Sequence, residues 1–471
     1  MNKTKIVATV GPATESKEML RSLIINGADV IRINMSHSSF DFVCEIAEKI
    51  RELNEELKTF TAIMIDIKGP LVRINKFIGG KAFFKKNDKI RIFMDDVVGD
   101  CTKFSTDYSG LINDVSYHTI LKIDDGIVEL EVIDKGRDYI LCQVLREGYI
   151  SDNKSLNVIN THLNRSYLSD DDKKAIKFAH EIKADFLALS FVYNYENILD
   201  VNDLLIGLGD DHIDILAKIE NGEAVDDLDN IIRSSDGIIV ARGDLGVEIP
   251  IEKIPGIQKE IIDKCHMAGK ISIVATELMS TMANSDHPSR AEVSDIANAV
   301  LDGTDAVMLC GETTVGKYPI DTIKMMSRVI GAAEKDISYD YLMERASKTE
   351  NNDMTGTIAY SVAESAYRLK CKAIFAPTIS GYTARKISRF RPECPVVAIS
   401  PSLNTVKSLA LHFGVYPVLI DDLKSFDAII EKSKKIAKDG LKLEEGDTII
   451  ITGGYPFKKV KHTNFIKIEE L

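Results

Sequence analysis

Eight short apolar runs recur along the first 315 residues and constrain the fold more than any other feature of the chain. They are KIVATV (5–10), DVIRINM (29–35), TAIMIDI (61–67), DFLALSF (185–191), DILAKIE (214–220), GIIVARGD (237–244), ISIVAT (271–276) and DAVMLCGE (305–312). Each is apolar at odd and even positions alike, as strands buried on both faces are. Helical patterns separate most of them. SKEMLRSLIINGA has apolar residues at helical spacing and stops at Gly27. Ile254, Ile257, Ile261, Ile262 and Cys265 make one face that ends at Gly269, and Pro319 opens a helix carrying Ile323, Met326 and Ile330. Eight buried strands alternating with helices predict an α/β chain built on a (β/α)8 TIM barrel.

Two stretches depart from this rhythm. Between 71 and 165 the chain turns to short alternating strands (KIRIFM, GIVELEVI, DYILCQVL), which predicts an all-β lid inserted after strand 3. From 341 to 471 new runs appear: KAIFAP (372–377), PVVAIS (395–400), VYPVLI (415–420) and TIIITGG (448–454). These predict a separate open α/β domain. The barrel then comprises residues 1–70 and 166–340.

Composition excludes several classes of function. A net charge of −13 argues against nucleic acid or an anionic membrane as partner. No apolar run approaches the ~20 residues of a membrane span. The N-terminus MNKTKIVATVGPATES has no signal or transit pattern, so a cytoplasmic protein is expected. Seven scattered cysteines without a CxxC predict reduced thiols, and nine histidines without HExxH speak against zinc.

Barrel active sites lie where the strands end. Strand 2 ends with Arg32, Asn34 and Ser36, strand 3 with Asp66, and strand 4 with Ser190. Strand 5 ends with Lys218 and Glu220, strand 6 with Arg242 and Asp244, strand 7 with Thr276, and strand 8 with Glu312. Taken alone, Lys218 and Glu220 read as a surface ion pair. A polar group at nearly every strand end points instead to a shared site. Glu220 and Asp244 can share a hard divalent cation, with Lys218 and Arg32 adding positive charge. That combination suits a phosphoryl group in transfer. Asn34, Ser36 and Asp66 offer oxygens to a second, monovalent cation.

Over nearly its full length the sequence resembles the pyruvate kinases. The motifs that carry the likeness are KIVATVGPAT, IRINMSH (31–37), DIKGP (66–70), AKIEN, VARGDLGVEIP (240–250), PSRAEVSDIANAVLDGTDAVMLCGET (288–313) and SGYTARKISRFRP (380–392). The resemblance implies transfer of the phosphoryl group of phosphoenolpyruvate to ADP, giving pyruvate and ATP in glycolysis. By it, Glu220 and Asp244 bind Mg2+ or Mn2+, and Lys218 and Arg32 face the phosphoryl group. Thr276 lies beside the carbon to be protonated. The N–H groups of Gly243 and Asp244 face the substrate carboxylate. Asn34, Ser36, Asp66 and the carbonyl of Ile67 form a K+ site, and His37, Arg73 and Lys154 contact the nucleotide. It also implies a homotetramer and a lid that excludes water. A phosphorylated allosteric effector would bind the loop of Thr378, Ser380, Gly381 and Thr383, where Gly381 permits a tight turn before a helix. Helix capping by Ser380 is the simpler account of that loop.

The chain departs from the family pattern in several places. Leu71 and Val72 precede Arg73 where the family has Glu and Ile, which puts the K+ requirement in doubt. Asn153, Lys154 and Ser155 stand for Arg-Lys-Gly. Cys310 replaces a Ser, and Val315 replaces a nucleotide-contacting Lys, with Lys317 two positions on. Tyr193 replaces an Arg and Glu277 a Gln. In TGGYPFKK the usual glycine after the Pro is missing. Two other readings fit parts of this. One is a different barrel enzyme with a Mg2+-bound enolate, such as a lyase or aldolase. The other is a weakened paralogue that binds phosphoenolpyruvate or phosphosugars as a sensor. Asp125 in DDG reads as a turn residue, and Glu312 as a group that orients backbone amides.

Overall fold

The computed structural model describes residues 2–210, 212–347, 353–422, 425–456 and 462–471. Eight parallel strands close into a barrel. They are β1 (Lys5–Thr9), β2 (Val30–Asn34), β3 (Ala62–Ile67), β4 (Phe186–Leu189), β5 (Asp214–Ile219), β6 (Gly237–Ala241), β7 (Ile271–Ala275) and β8 (Ala306–Leu309), with β8 pairing back onto β1. Each matches one of the eight runs. Strand periodicity splits every run between two cores. Ile6, Ile31, Ile33, Ile63 and Ile65 pack outward against the helices. Val7, Val30, Met64, Leu216, Ile239 and Ile273 fill the interior. This is why the runs are apolar at every position. The helix ends follow the sequence signals: Gly269 closes Ile254–Ala268 with φ 68, and Pro319 begins Pro319–Ala333.

The same alternation places the polar strand ends. In β2, β3 and β5 the inward positions run Val30, Arg32; Ala62, Met64, Asp66; and Leu216, Lys218, with Glu220 next in line. The interior is therefore apolar below and charged at its top layer.

Between β3 and β4 the chain forms the lid. Its seven-stranded sheet is ordered Val72–Arg73, Ser155–Val158, Ile120–Ile123, Val128–Lys135, Tyr139–Arg146, Lys89–Phe93, Lys103–Ser105. Lys81–Phe84 and Gly148–Ser151 form a separate pair. The lid has its own core, in which Phe77, Phe84 and Phe104 lie in mutual ring contact.

The C-terminal domain is a five-stranded sheet of β9 (Ala373–Pro377), β10 (Val396–Ser400), β11 (Val415–Leu419), β12 (Thr448–Gly453) and β13 (Phe465–Glu470), ordered β11-β10-β9-β12-β13. The first four strands correspond to the apolar runs. β13 was not anticipated: it is an antiparallel edge strand, FIKIEE, partly exposed along its length, so it lacks the buried-strand signature. Among the described residues no helix is long and apolar enough to cross a membrane.

Candidate active site

At the C-terminal rim of the barrel a cavity of about 790 Å³ is lined by Thr9, Arg32, Asn34, His37, Lys218, Asp244, Thr276, Cys310 and Val315, among others. Six of these residues (Arg32, Asn34, His37, Lys218, Asp244 and Thr276) were singled out from the sequence as site residues, and they come from strands 2, 5, 6 and 7 and the segments that follow them.

The centre of the site is a charged cluster inside the top of the barrel. Lys218 Nζ lies 3.0 Å from Glu220 Oε1 and 3.5 Å from Asp66 Oδ2, and donates to Ser190 Oγ at 2.9 Å. Ser190 Oγ in turn donates to Asp66 Oδ1 (3.0 Å). Arg32 Nε donates to Asp66 Oδ2 (2.7 Å), and Arg32 Nη1 donates to Thr9 Oγ1 (2.9 Å) and lies 3.9 Å from Cys310 Sγ. Burial alone would raise the Asp66 carboxyl, but Arg32 and Lys218 hold it below its ordinary value. Burial opposes the charge on Lys218, yet Asp66 and Glu220 keep that ammonium firmly protonated.

Glu220 is the exception in this cluster. It is fully buried, and Oε2 accepts the Phe191 N–H at 2.6 Å. Phe191 adopts a left-handed φ of 52 to present that N–H, an uncommon conformation for a bulky residue. Oε1 lies close to the Lys218 ammonium but at an angle that makes no hydrogen bond. Burial pushes the Glu220 carboxyl up to about 7; Lys218 opposes the rise and the nearby Asp244 carboxylate adds to it. A buried carboxylate with an oxygen lacking a donor, beside a second carboxylate, is the environment a hard divalent cation relieves. The two residues therefore suit Mg2+ or Mn2+. Among the described residues no group of three or more His, Cys, Asp or Glu is arranged to hold a metal, so further ligands would come from substrate oxygens and water.

The expected monovalent site differs. The sheet register sets Asn34 opposite Asp66, and Ser36 follows. Asn34 Oδ1 already accepts the Ser36 N–H at 2.9 Å, the Asp66 carbonyl accepts the Met35 N–H, and both Asp66 carboxylate oxygens are taken by Arg32, Lys218 and Ser190. Arg32 and Lys218 both meet Asp66 Oδ2, so that oxygen is already compensated by positive charge before any K+ is considered.

The geometry shows where the other expected site residues sit. The Gly243 N–H does not point free toward a substrate; it donates to Thr276 Oγ1 at 2.9 Å, because Thr276 adopts φ 65 and swings its hydroxyl over the start of the helix Arg242–Glu248. The Thr276 hydroxyl donates to the Ala275 carbonyl. Arg73 and Lys154 do not line the cavity. Arg73 is exposed and donates to the Asn153 carbonyl, and Lys154 pairs with Asp124 at 2.9 Å within the lid. Lys317 is exposed and does not line the cavity either, while Val315 stands exposed at its edge. Glu312 accepts the N–H groups of Cys310 and Met279, which makes it an orienter of backbone amides. Asp125 sits in a turn with φ 53 and also lines a neighbouring groove with Asp244 and Glu277.

In the C-terminal domain Gly381 has φ 76 and precedes the short helix Tyr382–Ser388. No side chain caps that helix, which removes the capping account of Ser380. The Thr383 hydroxyl is buried against that of Thr463 at 2.8 Å, and Thr378 is buried with its N–H on the Ile399 carbonyl. Phe457, Lys458 and Lys459 of TGGYPFKK lie outside the described residues.

Sequence reasoning missed Thr9 and Tyr167. Thr9 supports Arg32 and is the last residue of β1; the strand-end rule applied to the first run would have found it. The Tyr167 hydroxyl donates to the Ser190 carbonyl from the segment leaving the lid, where no pattern marks it.

Comparison with known proteins agrees with this geometry. The family described as pyruvate kinase, barrel domain, matches residues 1–323, and that described as pyruvate kinase, alpha/beta domain, matches residues 356–469. A pyruvate kinase of Clostridium perfringens is 40% identical over 474 residues, covering 100% of both chains. One of Staphylococcus saprophyticus is 39% identical over 470 residues, covering 99% of this chain and 80% of the relative. The crystal structure of a pyruvate kinase from Cryptosporidium parvum has a TM-score of 0.95 at 34% identity, covering 100% of this chain and 96% of that one. Likeness of this extent across all three regions sets aside both the lyase or aldolase reading and the weakened sensor. The chain belongs to the pyruvate kinase family, and it is a phosphotransferase that moves the phosphoryl group of phosphoenolpyruvate to ADP, giving pyruvate and ATP.

Proposed function

We propose that Lys218, Arg32, Glu220 and Asp244 form the phosphoryl-transfer centre of this enzyme. The observation that carries the reading is the inward register of β2, β3 and β5, which gathers the cations Arg32 and Lys218 and the carboxylates Asp66 and Glu220 at the top of the barrel, where Asp244 joins them from the helix after β6. In the reaction the bond from phosphorus to the enol oxygen breaks, a bond to an ADP phosphate oxygen forms, and the remaining enolate takes a proton at carbon. Lys218 neutralises charge on the oxygens of the phosphoryl group, and its fixed position costs no reorganisation. Arg32, braced by Asp66 and Thr9, supplies the second positive charge. Glu220 and Asp244 would hold a divalent cation, which would supply further positive charge to the phosphoryl oxygens. Thr276 holds a proton at Oγ1 beside the carbon to be protonated. The backbone N–H of Asp244, with that of Gly243 once Thr276 yields it, is oriented toward the substrate carboxylate. The lid excludes water from the intermediate. Titrating Mg2+ against Glu220→Ala and Asp244→Ala in a coupled pyruvate assay tests the metal assignment; an unchanged titration in both would place the metal elsewhere.

His37, Arg73 and Lys154 serve the nucleotide, the last two only after the lid closes further. Asn34, Ser36, Asp66 and the Ile67 carbonyl serve K+, with a weaker response than in the family because Asp66 is engaged and Leu71 replaces a carboxylate. Activity in K+-free buffer against K+ buffer tests this, and a steep requirement would overturn it. The loop of Thr378, Ser380, Gly381 and Thr383 binds a phosphorylated effector in a homotetramer. A Cβ on Gly381 would meet Leu409 at 3.1 Å, which supports a built turn there. Phosphoenolpyruvate saturation with fructose 1,6-bisphosphate, ribose 5-phosphate and AMP in turn, and light scattering for mass, are the measurements.

A further inference from the structure

Two hydrogen bonds from the lid end on one short helix of the barrel. Lys122 Nζ donates to the Val247 carbonyl, and Asn157 Nδ2 donates to Glu248 Oε1 at 3.0 Å. Lys122 and Asn157 are direct cross-strand partners in the lid sheet, so they act as one unit. Their target is the C-terminal end of Arg242–Glu248, where a cation also meets the negative end of the helix. Asp244 sits one turn earlier on the same helix, about 6 Å along its axis.

This contact is not a by-product of close packing. A cavity of about 670 Å³ opens beside it, lined by Asn157 and Glu248 together with Leu71, Val158, Tyr193 and Ile249. Polar groups rather than a continuous apolar seam join lid and barrel here. The strand of Lys122 leads into the turn that carries Asp125, and Asp125 lines one groove together with Asp244, so the same lid segment reaches both ends of the helix.

We infer that Lys122 and Asn157 form a latch received by Glu248 and Val247, and that its engagement fixes the position of Asp244 through the intervening helical turn. Glu248 and Asn157 are positioning residues for the reaction. The inference rests on the reading of Asp244 as a member of the site. A carboxylate hydrogen bond of this kind carries enough free energy for a rate effect of about 10-fold.

The test is a double-mutant cycle on kcat with Asn157→Ala, Glu248→Ala and the pair, with Glu248→Gln as the conservative variant. Each single alanine change is expected to lower kcat by about 10-fold with the phosphoenolpyruvate KM shifted by less than about threefold. The pair should be no worse than either single change, and Glu248→Gln, whose amide oxygen still accepts from Asn157, should keep most of the rate. Hydrogen exchange of residues 242–248, measured without substrate or metal, should quicken in both alanine variants. Additive losses, equal damage by Gln and Ala, or unchanged exchange would each overturn the latch. The exchange readout does not depend on Asp244 binding anything, so it separates failure of the latch from failure of the site. If Glu248→Ala does not fold, Asn157→Ala and Lys122→Met give the same readouts from the lid side.

Discussion

The two rims of the barrel carry similar residue types and use them in opposite ways. At the N-terminal rim, Asp29, Asp185, Asp236 and Asp305 each accept a backbone N–H near the start of a neighbouring strand: Ile6 (2.9 Å), Ile63 (2.8 Å), Ile215 (2.9 Å) and Ser272 (3.0 Å). Cations meet Asp185, Asp305 and the neighbouring Asp214. Lys407 lies 3.6 Å from Asp185, Arg385 3.2 Å from Asp214 and Arg391 2.7 Å from Asp305, all three reaching up from the C-terminal domain. Lys5 donates to the Val415 carbonyl of that domain. At the C-terminal rim, Asp66 is fully engaged, whereas Glu220 accepts one backbone N–H, shares Lys218 with Asp66 and has its carboxyl raised by burial, with Asp244 adding to the rise. A carboxylate whose oxygens are all used stabilises the fold. One left short of donors is available to a ligand, and the fold bears its cost.

Substitutions on opposite rims can break this contrast. The largest effect is expected from Lys218→Met, with a loss of transfer of about 10³-fold or more, because no other ammonium sits in the cluster. Calorimetry should still detect phosphoenolpyruvate binding, and a coupled assay with near-normal turnover would remove Lys218 from the mechanism. Next is Arg391→Met at the other rim. Both partners of its ion pair are about 95% buried, so Asp305 is left as an uncompensated charge and stability should fall by about 3–5 kcal/mol in urea unfolding. The turnover of the folded fraction should change little; a selective loss of kcat would mean that the lower rim is not merely structural.

Ser190→Ala should be milder. The hydroxyl links Lys218 to Asp66, so kcat is expected to drop by about 10-fold with little change in the melting temperature. A melting loss without a rate loss would reverse the assignment. The smallest effect concerns pH. Burial pushes the Asp214 carboxyl up to about 7 from an ordinary 3.8, with Asp236 and Asp185 adding to the rise and Arg385 opposing it. A raised carboxyl contributes stability that is full below about 3.8 and is lost as pH rises through about 7. Denaturant midpoints of wild type should therefore decline between pH 5 and pH 8 more than those of Asp214→Asn. Parallel profiles would show that Arg385 already compensates the charge.

The barrel was legible in the sequence because burial on both faces writes itself into consecutive residues, as in TAIMIDI and ISIVAT. β13 was not, because FIKIEE is a partly exposed edge strand and its pairing with β12 depends on residues far away in the chain. The site was legible for a related reason. A period of two carries Leu216, Lys218 and Glu220 to one side of β5, and the end of the run shows where the rim begins. What the strands could not announce were partners supplied by distant segments. Thr276 occupies the Gly243 N–H, Lys154 is held by Asp124 and Thr383 by Thr463.

The sequence by itself determined which residues reach the rim, because alternation along a strand is a local property of the backbone. Only the tertiary structure decided which of them are satisfied. Asp66 and Glu220 look equivalent as carboxylates at strand ends, yet barrel closure gives Asp66 two cations and the Ser190 hydroxyl, while Glu220 shares only Lys218 and accepts one backbone N–H. Hydrogen bonding and charge compensation depend on distances between strands that are far apart in the chain. Those distances exist only once the barrel has closed.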